Sequence, residues 1–283
     1  MKFAKYWSEV SVAVDKTQFG TTRLSAWGAS NESEAQASIK ASERAAALTQ
    51  LISRGADALR EYEYWNGYIR EEVIEEVLDR DGRVLGVLTR NCYGAIVLNT
   101  ESVLFGDVDI AEPGLIAKLL QLFGKPKKDK AYFVSRIEQY QKQNPAYTLK
   151  VYETFAGLRV VVTNQIFENY SESAQAIFSA LDVDPLYVKL CKAQSCFRAR
   201  LTPKPWRIGI ERPTSRFPRQ EQADVNDFSS WVNNYESASA NVSTVKLLAT
   251  FGTDFEHPDV ARILAVHDQY ADRVSSGAAS SLA

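Results

Sequence analysis

The chain contains little histidine and little cysteine, and this scarcity limits the chemistry that it can carry. Of its 283 residues only two are histidine, His257 and His267, and three are cysteine. Cys191 and Cys196, in the stretch CKAQSC, lack the second pair of ligands that a structural zinc site needs, so we interpret them as buried free thiols. The histidines fall near or within the last predicted helix, and we interpret them as packing or surface residues rather than general bases.

Further absences narrow the class of protein. No run of about 18 apolar residues could span a bilayer, and the stretch MKFAKYWSEVSVAV has neither the apolar region nor the cleavage site of a secretory signal. GxSxG, HExxH and dinucleotide-binding motifs are missing, which argues against the common hydrolases and dehydrogenases. The odd number of cysteines fits a reducing compartment. We therefore expect a cytoplasmic protein with no membrane partner, either one large domain or a core with an additional lobe.

The charges that are present are segregated along the chain. The formal net charge is only −2, yet residues 61–81 hold eight acids against two arginines. Residues 198–219 hold seven cations against Glu211 alone. The basic segment suits phosphate or nucleic acid. In the alternative, which stays open, the acidic and basic segments face each other or only solvate the surface.

Turn and cap signals predict four parts. Residues 1–60 are predicted to form a β-β-α lobe, with Ser30 or Asn31 as the helix cap. Residues 61–92 are predicted to form an acidic hairpin connector, with Asp81-Gly82 at its turn. Residues 93–210 form the predicted core, and residues 211–283 a mostly helical C-terminal extension.

The order of elements in the predicted core indicates its fold class. From Val103 to Leu201 the order is strand, helix, strand, strand, helix, strand. The first helix is predicted to begin at Pro113, and the second consists of two short helices with caps at Ser171 and Asp184. This order is typical of the split βαβ, ferredoxin-like (RRM-like) arrangement, so we expect an α+β protein with a ferredoxin-like core. In such a sheet the first strand is central, the third and fourth strands flank it, and two helices cover only one face. The other face is then open for a site.

Alternation along three strands places charged side chains on that predicted open face. In LFGDVDI, Asp107 and Asp109 point away from the aliphatic residues and lie about 7 Å apart, at about 3.3 Å per residue. The same rule puts Arg159 of GLRVVVT on one flanking strand, and Arg198 with Arg200 of CFRARL on the other. Two carboxylates are therefore expected beside three arginines.

This constellation supports two interpretations. In the first, Asp107 and Asp109 are catalytic residues that bind Mg²⁺ or Mn²⁺, because hard divalent cations prefer carboxylate oxygens. Trp206 is then a candidate for stacking a base. The phosphates of a nucleotide would bind to the cations of the site, namely Arg159, Arg198, Arg200, Lys204 and Arg207. In the second interpretation, the same aspartates and arginines form cross-strand ion pairs at the surface.

The stretch LFGDVDI, with the later hairpin TFAGLRVVV and the basic strand CFRARL, resembles the catalytic core of the archaeo-eukaryotic primase (primase-polymerase) superfamily. The resemblance covers about residues 95–205. It implies that Asp107 and Asp109 are metal ligands, while Arg159 stands where the superfamily has a nucleotide-contacting histidine. The third acidic ligand stays open among Asp182, Asp184 and Glu211. The block CFRARLTPKPWR also looks like one from bacterial proteins of no assigned function.

We therefore expect a nucleotide- or nucleic-acid-handling protein, a divergent metal-dependent nucleotidyltransferase of primase-polymerase type. Its expected partner is a nucleotide or a single-stranded nucleic acid. The alternative is a non-enzymatic interaction or assembly module, in which the charged segments serve self-association or a protein partner. Replacing Asp107 and Asp109 by alanine separates the two, because the first loses metal binding whereas the second changes in folding or association.

Overall fold

A computed structural model describes residues 1–54, 68–110, 129–168, 170–273, 277 and 281–283. The described part is an α+β protein that divides into two compact units, residues 1–70 and 71–283. Glu61 and Glu63 of the acidic segment, and the first part of the helix predicted from Pro113, lie outside the described residues. No helix within the described ranges is both long enough and apolar enough to cross a membrane.

The first unit contains the β-β-α elements predicted for it. In chain order these are β1 (Tyr6–Ala13), a short helix α1 (Lys16–Phe19), β2 (Arg23–Ser30) and α2 (Glu34–Ile52). Strands β1 and β2 pair in antiparallel register. Helix α2 begins after Ser33, whose side chain accepts the backbone N–H of Gln36 at 3.2 Å. The cap predicted at Ser30 or Asn31 is therefore wrong.

The second unit is built around two four-stranded antiparallel sheets. Its strands are β3 (Glu72–Leu78), β4 (Val84–Arg90), β5 (Ile96–Thr100), β6 (Phe105–Asp109), β7 (Leu149–Thr154), β8 (Gly157–Val162), β9 (Phe197–Arg200), β10 (Val242–Ser243), β11 (Val245–Phe251) and β12 (Ser281–Leu282). Its helices are α3 (Lys130–Gln143), α4 (Glu172–Ala180), α5 (Pro185–Gln194), α6 (Gln222–Ser239) and α7 (Pro258–Ala271). The strand orders are β3-β4-β5-β9 and β11-β7-β8-β6, and β10 and β12 form a short parallel pair.

Local signals place several of these elements where the sequence predicts them. The turn between β3 and β4 contains Gly82, whose φ of +82° is a conformation that glycine adopts without strain. Ser171 caps α4 by accepting the backbone N–H of Ala174. Asp184 caps α5 by accepting the N–H groups of Leu186 and Tyr187. These hairpin and cap predictions are confirmed.

The strand pairing around β6 differs from the predicted sheet. Strand β8 lies between β6 and β7, as the split βαβ order requires. Strand β9 pairs instead with β5 in the other sheet, so the ferredoxin-like order is not confirmed. The hydroxyl of Tyr187 lies between β6 and β9: it donates to the Phe105 carbonyl at 2.7 Å and accepts the Arg198 N–H at 3.2 Å. A buried side chain thus joins two strands that the prediction pairs directly.

Both faces of the sheet that contains β6 are covered. On one face a Cβ at Gly106 would lie 2.9 Å from the side chain of Val183, in the segment after α4. On the other face the ring of His267 from α7 packs against Phe105 at 5.4 Å and against Tyr152 at 5.1 Å. The prediction that this second face is open is therefore wrong around Phe105, because it did not include the helix that packs there.

Candidate functional site

Asp107 and Arg159 form a close ion pair across strands β6 and β8. The two residues are direct cross-strand neighbours in the ladder. Arg159 Nε donates to Asp107 Oδ1 at 2.7 Å and Arg159 Nη2 donates to Oδ2 at 3.1 Å, which is bidentate geometry. The Arg159 side chain is 3% exposed and that of Asp107 is 32% exposed. Burial alone would lower the pKa of Arg159, but the charge and hydrogen bonds of Asp107 outweigh it and raise that pKa.

The pair extends into a buried polar network on α7. Arg159 Nη1 lies 3.2 Å from His267 Nε2, and since a guanidinium only donates, that nitrogen is the acceptor. The other ring nitrogen, Nδ1, therefore carries the proton and donates to Asp268 Oδ1 at 2.8 Å. Burial lowers the pKa of His267, and the charge of Arg159 acts in the same direction. His267 is thus a packing residue, as the sequence analysis interprets it.

Arg198 is occupied by a carboxylate from the acidic segment. Its Nη2 donates to Glu71 Oε1 at 2.7 Å and to Oε2 at 2.6 Å, and both side chains are buried. Arg219 makes a second such pair with Glu72 at 3.3 Å. The acidic and basic segments therefore face each other at two points, as the alternative interpretation expects. Arg198 is held there rather than beside Asp107.

Other cations of the basic segment lack such a carboxylate partner among the described residues. We name Arg200, Lys204, Arg207 and Arg212 the basic cluster. None of them forms an ion pair with a carboxylate within the described part of the chain. Arg200 Nη1 donates to the Thr202 carbonyl at 2.8 Å, and the Arg200 carbonyl accepts from Arg159 at 3.0 Å.

The basic cluster is crowded with charge of one sign. Burial lowers the pKa of Lys204, and the charges of Arg200 and Arg207 lower it further. Burial also lowers the pKa of Arg200, and Arg159 and Arg207 add to that effect. Cations that disfavour each other's charged form are stabilised when an anion binds between them.

Trp206 lies inside the basic cluster, in the 3₁₀ turn Pro205–Arg207. Its side chain is 45% exposed. The guanidinium of Arg212 lies 4.4 Å from the ring centroid, the Lys204 ammonium lies 5.6 Å away, and the Tyr93 ring contacts it edge-on at 5.4 Å. Trp206 is therefore a half-exposed aromatic ring in a positive environment.

Asp109 and Asp184 border the basic cluster. The Asp184 N–H donates to the Asp107 carbonyl at 2.9 Å, which holds the start of α5 against β6. Asp109 is exposed, but partial desolvation of its carboxylate still raises its pKa. The charges of Asp184 and Asp107 raise that pKa further, while Lys204 and Arg207 oppose the shift. Of the acids left open by the sequence, Asp184 is therefore the one beside Asp109. Asp182 instead pairs with Arg136.

These carboxylates do not fit a divalent metal ion well. Asp107 is bound by Arg159, and Asp184 accepts two backbone N–H groups as a helix cap. Across the described residues no group of three or more His, Cys, Asp or Glu side chains is placed to hold a metal ion. Metal binding by Asp107 and Asp109 therefore stays a prediction.

The site depends on an aromatic ladder that the sequence analysis does not identify. On α6 the rings of Phe228, Trp231 and Tyr235 stack at 5.7 and 4.9 Å. Tyr235 lies 2.6 Å from the Pro203 carbonyl, to which its hydroxyl donates, and Trp231 Nε1 donates to the Glu211 carbonyl at 2.8 Å. The spacing of three and four residues is a helical signal, but it does not show what the ladder contacts. The contacts hold both ends of the segment that carries the basic cluster.

Comparison of the chain with protein-family models, with curated proteins and with solved structures gave no significant match.

Proposed function

We propose that this protein binds a nucleotide or a single-stranded nucleic acid at the basic cluster, with Trp206 stacking a base. The observation that carries the proposal is the cluster itself: Lys204 and Arg207 lie beside Arg200, lack a carboxylate ion pair among the described residues, and flank a half-exposed tryptophan. Binding of a single-stranded nucleic acid requires two parts, namely cations that contact the phosphates and an aromatic ring on which a base stacks.

Asp107 and Arg159 have a structural role in this proposal. Their bidentate pair, buried at Arg159, fixes β6 against β8, and Arg159 also reaches the Arg200 carbonyl on β9. The pair therefore positions the strand from which the basic cluster begins. This differs from the predicted role of both residues, in which Asp107 binds metal and Arg159 binds phosphate.

The proposal also includes a relation between residues 103–201 and the ferredoxin-like fold. We infer that residues 103–201 derive from a split βαβ sheet that has opened between β6 and β9. What supports this is the order β7-β8-β6 together with the Tyr187 and Arg159 side chains, which connect β6 and β8 to β9.

The test is a titration with a fluorescein-labelled single-stranded oligothymidylate of about eight nucleotides, followed by fluorescence anisotropy. Replacing Lys204 and Arg207 by glutamine should weaken binding about tenfold and reduce the salt dependence, because each lost phosphate contact removes about 0.7 from the slope of log K against log salt. The matched control replaces Lys142 and Lys192, which lie on α3 and α5 outside the basic cluster, by glutamine.

The outcomes separate the proposal from its rivals. Similar affinity of the parent chain and the control, with about tenfold weaker binding by the cluster variant, supports the proposal. Equal affinity in all three proteins, or no binding at low salt, overturns it and leaves the interaction module as the better account. Binding that requires added Mn²⁺ and is lost in Asp109→Asn would instead favour the metal-dependent nucleotidyltransferase, for which the proximity of Asp109 and Asp184 is the supporting observation.

A further inference from the structure

Phe155 is an exposed aromatic ring on a rigid turn beside the basic cluster. It lies in the turn between β7 and β8, and its side chain is 53% exposed. The Ala156 carbonyl accepts the Ile110 N–H at 3.0 Å, and the Gly157 N–H donates to Thr154 Oγ1 at 3.0 Å. The backbone on either side of the ring is thus fixed. A single exposed phenylalanine is ordinary in a soluble protein, so the exposure alone carries no conclusion.

The second observation is the cation on this ring. The Arg207 guanidinium lies 4.1 Å from the centroid of Phe155. Burial lowers the pKa of Arg207, and no carboxylate pairs with it in the part of the chain that the structure describes. Phe155 is 53% exposed even with the guanidinium over its ring, so part of its aromatic surface is accessible to a planar ligand.

A second arginine lies over an aromatic ring at Trp206, the residue before Arg207 in the chain. Trp206 has Arg212 at 4.4 Å, as Phe155 has Arg207 at 4.1 Å. Trp206 and Arg207 are consecutive in one 3₁₀ turn, so the two pairs of ring and arginine are neighbours. A single-stranded nucleic acid repeats a phosphate and a base at each nucleotide. Two adjacent pairs of cation and ring match two successive nucleotides, whereas a mononucleotide uses only one pair.

We propose that Phe155 is a second base-stacking surface and that the ligand is a single-stranded oligonucleotide of at least two nucleotides rather than a mononucleotide. The inference rests on the proposed function. Arg207 connects the two stacking surfaces, because it follows Trp206 in the chain and contacts the ring of Phe155. Neighbouring bases would stack on Trp206 and on Phe155.

The experiment measures the affinity of thymidine monophosphate, of the dinucleotide and of longer oligothymidylates by competition against the labelled oligonucleotide. Phe155→Ala should weaken oligonucleotide binding by about 5- to 150-fold, the range for one stacked base, and leave mononucleotide affinity within about twofold. Phe155→Trp should retain oligonucleotide binding. Phe255→Ala is the matched control, because Phe255 is 60% exposed and lies in the segment before α7.

The results distinguish this inference from the proposed function. If Trp206→Ala weakens binding of every ligand while Phe155→Ala changes none, the second surface is wrong and the proposed function stands. If thymidine monophosphate binds the parent chain as tightly as the oligonucleotides do, the ligand class is wrong. If neither monophosphate nor oligonucleotide binds the parent chain, the proposed function fails and this inference fails with it. Thermal unfolding of each variant verifies that it is folded.

Discussion

Basic side chains lie in two different environments in the second unit. Between β6 and β8, Arg159 has a carboxylate oxygen at 2.7 Å and is almost fully buried. After β9, Lys204, Arg207 and Arg212 have aromatic rings as neighbours and no carboxylate ion pair among the described residues. The first region satisfies its charges within the chain and serves the fold. The second leaves positive charge available at the surface, which is what an anionic ligand requires.

Asp107 and Asp109 give the sharpest test of this difference, because they lie two residues apart on one strand. Asp107→Asn leaves the buried Arg159 without its carboxylate, and we expect a loss of about 3 kcal/mol in the free energy of unfolding. Asp109→Asn should change that free energy by less than about 0.5 kcal/mol, as for other surface substitutions. Urea titration measures both values. Similar effects of the two variants on the free energy of unfolding would show that the ion pair between Asp107 and Arg159 does not stabilise the fold.

The ladder on α6 connects the fold to the basic cluster, and Tyr235→Phe tests the connection. The variant removes the hydroxyl that lies 2.6 Å from the Pro203 carbonyl and 2.7 Å from Thr202 Oγ1, in a fully buried position. We expect a cost of about 1 to 2 kcal/mol in stability and a several-fold loss of oligonucleotide affinity. Tyr132→Phe on α3 is the control. An unchanged affinity despite lower stability would mean that the ladder does not position the cluster.

His267 makes the buried region sensitive to acid. Its pKa is lowered in the folded chain, so below the ordinary value of about 6.5 the unfolded chain binds more protons than the folded chain. Stability should therefore fall as the pH drops below about 6.5, by at most about 1.4 kcal/mol per pH unit, until the lowered pKa is reached. His267→Gln should flatten this part of the profile. If the stability of the parent chain and of the variant depends on pH in the same way, His267 is not the group responsible for the loss of stability in acid.

The smallest expected effect concerns Asp109 at the border of the basic cluster. Since the pKa of Asp109 is raised, its negative charge is lost earlier than usual as the pH falls. Oligonucleotide affinity should then rise by about two- to fivefold as the pH decreases through that pKa, because a repulsive charge disappears. Asp109→Asn should bind more tightly at neutral pH and lack the rise, whereas Asp254→Asn, on an exposed loop, should behave like the parent chain.

Much of the local structure follows from the sequence alone. Alternation in LFGDVDI and GLRVVVT predicts β6 and β8, and the register makes Asp107 and Arg159 neighbours. The caps at Ser171 and Asp184 are confirmed because each depends on a few adjacent residues. Sequence alternation also predicts that Asp107 and Asp109 share a side of the strand, but it does not predict that Asp107 is half-buried and bound to Arg159 while Asp109 is exposed.

Only the tertiary structure decides which charges are satisfied. Glu71 and Arg198 are 127 residues apart in the chain, and Arg159 and His267 are 108 apart. No periodicity or spacing connects residues at such distances, because their contact depends on how whole sheets and helices pack. The sequence by itself determined the strands, the hairpins and a basic segment rich in arginine. Packing decided that Arg198 and Arg219 pair with glutamates, whereas Arg200, Lys204, Arg207 and Arg212 form no ion pair with a carboxylate in the described ranges. Ion pairs between segments far apart in the sequence form only when the chain folds.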